Sequence, residues 1–114
     1  MVHASLHVRT EVPLPGPGDQ RASDLVVGGP SWRHAFEAET RPRDRQALER
    51  RIALKVRDGS VDGASLLLTD SRQNREFVRA NASALQDRFP VPGRTILERL
   101  RAGLDPGPGG VVLL

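Results

Sequence analysis

The chain opens with a strict alternation. Leu6, Val8 and Thr10 fall on one side and His7, Arg9 and Glu11 on the other, which predicts a half-buried strand over 6–12. The stretch PLPGPGD over 13–19 sustains neither helix nor ladder and reads as a loop. Residues 21–27 and 32–39 read as two further strands joined through GGPS, an antiparallel hairpin. Pro42 then opens a long helix with Asp44 in its first turn, running to Asp58-Gly59. ASLLLT over 64–69 is a continuous apolar run, the pattern of a strand buried on both faces. Asp70 is placed to cap a helix to about Arg88 that turns Phe77, Val78, Asn81 and Leu85 inward. Pro90 and Pro92 break the chain before a short helix bearing Ile96, Leu97 and Leu100, which ends at Gly103. DPGPGG is a loop, and residues 111–114 supply a last strand.

This order, β-β-β-α-β-α-α-β, has one direct consequence. A helix between the third and fourth strands is a right-handed crossover, so those strands pair in parallel while the earlier hairpin is antiparallel. The expected fold is a single three-layer α/β domain over residues 1–114, with a mixed sheet of four or five strands flanked by helices.

The hairpin carries the chemistry. Glu37 and Glu39, two apart on one strand, point to the same face. A turn centred between Gly29 and Pro30 sets Asp24 opposite Ala35, on that same face and diagonal to Glu37, with backbones about 7–8 Å apart. A slip of one residue would move Asp24 to the other face. Carboxylates gathered in this way repel one another, and two compensations are available. One is a hard divalent cation such as Mg²⁺, which takes a few carboxylates and waters. The other is arginine, from Arg33, Arg41 or Arg43.

An Asp on one strand, a spaced pair of acidic residues on the next, then a helix and a buried parallel strand resemble the PD-(D/E)XK restriction-endonuclease-like core. The phrases EVPLPGPGDQRASD, FEAETRPRDRQALERRIALKVRDG and LLLTDSRQNR, in that order, resemble a domain found behind helix-turn-helix modules in regulators of high-GC bacteria. The resemblance spans about residues 8–114. It implies a restriction-endonuclease-like three-layer fold in which Asp24 and Glu37 are the metal ligands. Glu39 stands where the motif lysine belongs and can ligate a second ion. Gln46 matches a polar position beside the metal, and Glu11 an acidic residue upstream of the core. The implied cofactor is Mg²⁺ or Mn²⁺ if the site is catalytic, and none otherwise.

Two departures qualify the match. The motif lysine orients water and stabilises charge on phosphate, and Glu39 cannot do so. Lys55, the sole lysine, lies about twelve residues into the helix, roughly 18 Å from its start at ~1.5 Å per residue. Arg33, Arg41, Arg43 and Arg45 remain to hold a nucleic-acid backbone. The second departure is that few residues precede the first strand, leaving no room here for the core's usual first helix or a DNA-binding module. Two functions compete: a non-catalytic, nuclease-derived regulatory domain that associates with DNA or with a DNA-binding partner chain, and a Mg²⁺-dependent nuclease.

Composition narrows the field without choosing between them. With no Cys, disulfides, thiolate zinc sites and cysteine nucleophiles are excluded. No apolar run reaches the ~20 residues that cross a bilayer, and residues 1–9 lack a signal-peptide core, so a cytoplasmic location without membrane contact is expected. A net charge of +3 permits nucleic acid as a partner without demanding it. Several features read as structural. Lys55 continues the Leu48–Ile52 stripe and snorkels, and Trp32 is in phase with His34, Phe36 and Ala38 in the core. His3, His7 and His34 show no ligand spacing, and PGPGD precedes no helix that would cradle phosphate. The arginines between Arg72 and Arg101 read as a solvated helical exterior rather than a DNA-reading helix-turn-helix.

Overall fold

The computed structural model describes residues 5–11, 23–39, 42, 44–57 and 61–114, with the side chains of Arg9, Thr10, Glu11, Ser23, Asp24 and Lys55 outside that description. Its elements are β1 (His7–Glu11), β2 (Ser23–Gly28), β3 (Arg33–Glu39), α1 (Arg45–Arg57) and β4 (Gly63–Leu68). They continue with α2 (Arg72–Ala80), α3 (Ala82–Arg88), β5 (Val91–Pro92), α4 (Gly93–Arg101) and β6 (Gly110–Leu113).

The fold is α/β, with one mixed six-stranded sheet in the order β1-β2-β3-β4-β6-β5. β1, β2 and β3 pair antiparallel, and β3, β4, β6 and β5 pair in parallel. The parallel β3–β4 pair follows from the crossover through α1, as the order of apolar segments requires. The expected four or five strands become six. β5 is only Val91 and Pro92, held by pairing with Gly110 and Val111, and a two-residue strand ending in proline carries no periodicity to read.

Two apolar layers cover the sheet. On one face Leu48 and Ile52 of α1, Phe77 and Val78 of α2 and Leu85 of α3 pack on Val26, Ala35, Ala64, Leu66 and Leu68. On the other, Ile96, Leu97 and Leu100 of α4 join Leu6, Val27, Trp32, Phe36 and Val112. Trp32 is buried there, as its phase along β3 requires. β4 is buried along almost its whole length, which is why its sequence is an unbroken apolar run.

Helix boundaries differ from expectation in two places. Asp44 precedes α1 instead of lying inside it, and its Oδ1 accepts from the Ala47 amide at 3.1 Å. The long helix expected from Asp70 is two helices. Ser71 is the cap, its Oγ accepting from the Asn74 amide at 3.1 Å, and the chain breaks at Asn81, whose Nδ2 donates to the Phe77 carbonyl at 2.8 Å. A polar side chain that bonds the preceding turn competes with the helical ladder, and that local bond accounts for the interruption. The end expected for the first helix, Asp58-Gly59, lies outside the described residues.

Candidate functional site: a carboxylate row and its arginine

The β2–β3 hairpin closes two residues away from the expected register. Gly28 pairs with Arg33 and Asp24 with Glu37, so four residues, Gly29–Trp32, form the connection, closed by the Gly29 amide donating to the Trp32 carbonyl at 2.9 Å. A shift of two preserves face parity. Position 24 therefore stays on the same face as positions 37 and 39, directly opposite Glu37 instead of diagonal to it. β1 extends the row, since Glu11 is the partner of Asp24. Three acidic positions, 11, 24 and 37, thus follow one another across three strands. The next position in the row is Leu66 of β4, fully buried.

Glu37 is only 4% exposed. Burial beside Leu66 pushes its carboxyl pKa up, Arg51 pulls it back down, and the charge of Glu39 raises it again, for a net upward shift. The compensating cation is Arg51, on α1, which sequence reasoning did not single out. Its Nη2 donates to Glu39 Oε1 at 2.7 Å, and its Nε lies 3.6 Å from Glu37 Oε1, an ion pair beyond hydrogen-bonding distance. The signal was present in the sequence. Arg51 sits three residues after Leu48 and directly before Ile52, at the flank of the stripe that seats α1 on the sheet.

The other expected residues are placed as follows. Gln46 is exposed on the first turn of α1, about 160° around the helix from Leu48 at ~100° per residue. Arg33 is exposed at the opposite end of β3 from Glu39, some 13 Å along the strand from Glu37 at ~3.3 Å per residue. Arg45 pairs with Glu49, which also faces Arg88 at 3.6 Å. Arg41 and Arg43 lie outside the described residues, as do the Asp24 and Lys55 side chains. The structure therefore brings together Glu37, Glu39 and Arg51, with position 24 opposite Glu37 by backbone register.

This donor set bears directly on a divalent cation. The two described carboxylates already share one guanidinium, and burial raises the pKa of the deeper one. They fit Mg²⁺ or Mn²⁺ only when Arg51 withdraws. Among the described residues no group of three or more His, Asp or Glu side chains is arranged to hold a metal ion.

The Arg51 geometry makes a quantitative prediction. Arg51→Ala leaves Glu37 buried without its countercharge, and because Arg51 is about one-third exposed the loss is expected at about 2 kcal/mol near neutral pH. A carboxyl whose folded pKa is raised favours the fold while protonated, and that benefit fades as pH climbs above its ordinary 4.5. The Arg51→Ala penalty should therefore shrink on acidification, and in the Glu37→Gln background it should fall to the part owed to the remaining Glu39 pair. Urea unfolding of the four proteins in that cycle measures it, and equal penalties with and without Glu37 would refute the pairing.

A second polar cluster lies on the opposite face. His34 is fully buried, and its Nε2 is 2.7 Å from Ser65 Oγ, which accepts from the Gly110 amide at 3.0 Å. Ser65 Oγ, with one proton and two lone pairs, can bond Nε2 while it accepts from Gly110, so the hydroxyl links His34 to the start of β6. Nδ1 has no partner of hydrogen-bonding geometry, although the Gly107 carbonyl lies on that side. Burial lowers the His34 pKa to about 4, against smaller opposing effects from Asp105 and Gly107. Both side chains of this pair are sealed from solvent, so it staples β3 to β4 and to the start of β6 instead of presenting a nucleophile.

No protein-family model, curated protein or solved structure matches this chain.

Proposed function

We propose that the chain is a nuclease-derived, nucleic-acid-associated regulatory domain that binds without cleaving. The observation that carries this reading is Arg51, which stands between Glu37 and Glu39 as the positive charge that a metal would otherwise supply. Glu39 in place of the motif lysine points the same way, since the one cation of β3, Arg33, lies at the far end of the strand from Glu37 and Glu39 and cannot stabilise charge on a phosphate there. In this reading Arg33, Arg41, Arg43 and Arg45 hold the phosphate backbone. Binding is then salt-sensitive and indifferent to sequence, and Arg43→Ala weakens every nucleic acid alike.

One observation favours a second reading, a Mg²⁺-dependent phosphodiesterase. The backbone row Glu11–Asp24–Glu37 is the alignment a restriction-endonuclease-like metal site would use. Asp24 and Glu37 would then hold the metal, Glu39 would assist, and Gln46 would position water or phosphate.

Calorimetry with Mg²⁺ and Mn²⁺ separates the two. The regulatory reading expects no binding by the wild type, whereas tight binding abolished by Asp24→Ala supports the enzyme. A cleavage assay on labelled single- and double-stranded DNA and RNA with Mn²⁺ completes the test. Activity above that of Glu37→Gln on any substrate overturns the non-catalytic reading, and equal background on all four retires the nuclease.

A further inference from the structure

The two faces of the sheet are covered unequally. Among the described residues, α1, α2 and α3 pack on the face of the carboxylate row and α4 on the other face. Beside α4 an open groove of about 400 Å³ crosses the sheet. Leu25, Phe36, Leu67 and Val112 form its floor, and Leu97 and Arg101 stand on its α4 wall. Leu25, Leu67 and Leu97 remain only half-buried, so apolar surface is left for an occupant to cover.

Arg101 is the one charged side chain among the described residues that line it. It is exposed and forms no ion pair with the described residues, unlike Arg45, Arg51, Arg72, Arg75 and Arg88. Its neighbour Arg99 is committed to the Pro106 carbonyl at 2.8 Å. A groove of this size lies within the ~300–1,000 Å³ range of small-molecule sites, which are mostly apolar with a few polar groups that fix orientation.

We propose that this groove binds a monoanionic amphiphile of the fatty-acid class, its alkyl chain on the Leu25–Leu67–Val112 floor and its carboxylate on Arg101. The apolar floor rejects a polyol or a nucleotide, whose polar groups would lose water without gaining partners. A single uncommitted guanidinium matches one carboxylate, and its planar donors engage both oxygens. A cationic head at the same place meets repulsion, and a neutral one meets nothing. The groove is on the face away from Glu37, so the proposal stands or falls independently of any role in nucleic-acid binding.

The test titrates the full chain with decanoate below its micelle concentration, beside decanol and decyltrimethylammonium, followed by calorimetry and methyl NMR shifts. Decanoate is expected to bind saturably with one site, about tenfold tighter than decanol, and to shift the methyls of Leu25, Leu67, Leu97 and Val112. Decyltrimethylammonium is expected not to bind. The exposed Arg101→Gln change should bring decanoate down to the affinity of decanol without altering thermal stability, and Leu97→Trp should block both by filling the groove. Equal affinities for decanoate and decanol, an unchanged Arg101→Gln variant, or shifts confined to other methyls would each overturn the proposal. So would failure to bind decanoate in a protein that dimerises through these same methyls, because the occupant would then be a second copy of the chain.

Discussion

Gly109→Ala will cost about 4 kcal/mol, a large share of the usual ~5–15 kcal/mol that holds a domain of this kind together. Gly109 has φ of 133°, where an L side chain is strained, and a Cβ there would run into the Ala64 carbonyl of β4. The backbone cannot retreat to make room. The Gly109 carbonyl accepts from the Val91 amide at 3.0 Å and the Pro108 carbonyl from the Ala64 amide at 3.1 Å, so the same loop is tied to β4 and β5 at once. Gly103 is the control. Its φ of 75° is the ordinary left-handed turn, and Gly103→Ala should cost only about 1 kcal/mol. Urea denaturation of both variants checks the pair, and equal stability of the two would show that the contact with Ala64 is not the constraint.

Acid will weaken the protein through His34. In the unfolded chain this imidazole titrates near 6.5, and in the fold near 4, so between those values only the unfolded state takes up the proton. Stability from His34 is thus complete above about pH 6.5 and is lost as pH falls toward 4, a difference of about 3 kcal/mol. Glu37 acts in the opposite sense, its raised pKa favouring the fold at low pH, so the wild-type slope is the resultant of the two. The His34→Gln variant isolates the histidine, since an amide retains a partner for Ser65 without titrating in this range. Its stability should lack the acid-dependent loss. An acid slope identical to that of the wild type would place the titration elsewhere.

The parts legible in the sequence were those in which one physical demand dominated. Alternation in β1, the unbroken apolar run of β4 and the DPGPGG loop each allow one local structure (the PLPGPGD loop lies outside the described residues), and the crossover through α1 then dictates the parallel β3–β4 pair. The hairpin register was not legible, because GGPS suits a two-residue connection as well as the four-residue loop that forms. The face of position 24 survived only because the two differ by an even number. Arg51 was harder to see. Its partners are twelve and fourteen residues away on another element, and only the docking angle of α1 on the sheet brings it to Glu39. His34 was in view as a member of the Trp32–Phe36 phase, but its partnership with Ser65 depends on the pairing of β3 with β4 and on the placement of Gly110. Contacts that require two elements to be docked first are not written in the period of either one.

The position of β6 bears on how the chain reaches this fold. β6 is the strand latest in sequence, yet it lies inside the sheet, between β4 and β5. β5 pairs with it and with no other described strand. As the chain emerges during synthesis, everything up to Arg101 is available while β4 still presents an open parallel edge and β5 has nothing to pair with. The sheet closes only when residues 110–113 thread into the gap. During that interval the edge of β4, with its run of leucines, is the surface most exposed to wrong partners, and a second nascent chain offering its own β6 is a template as good as the correct one. The order of synthesis thus makes exchange of the last strand between molecules the characteristic misfolding route of this topology.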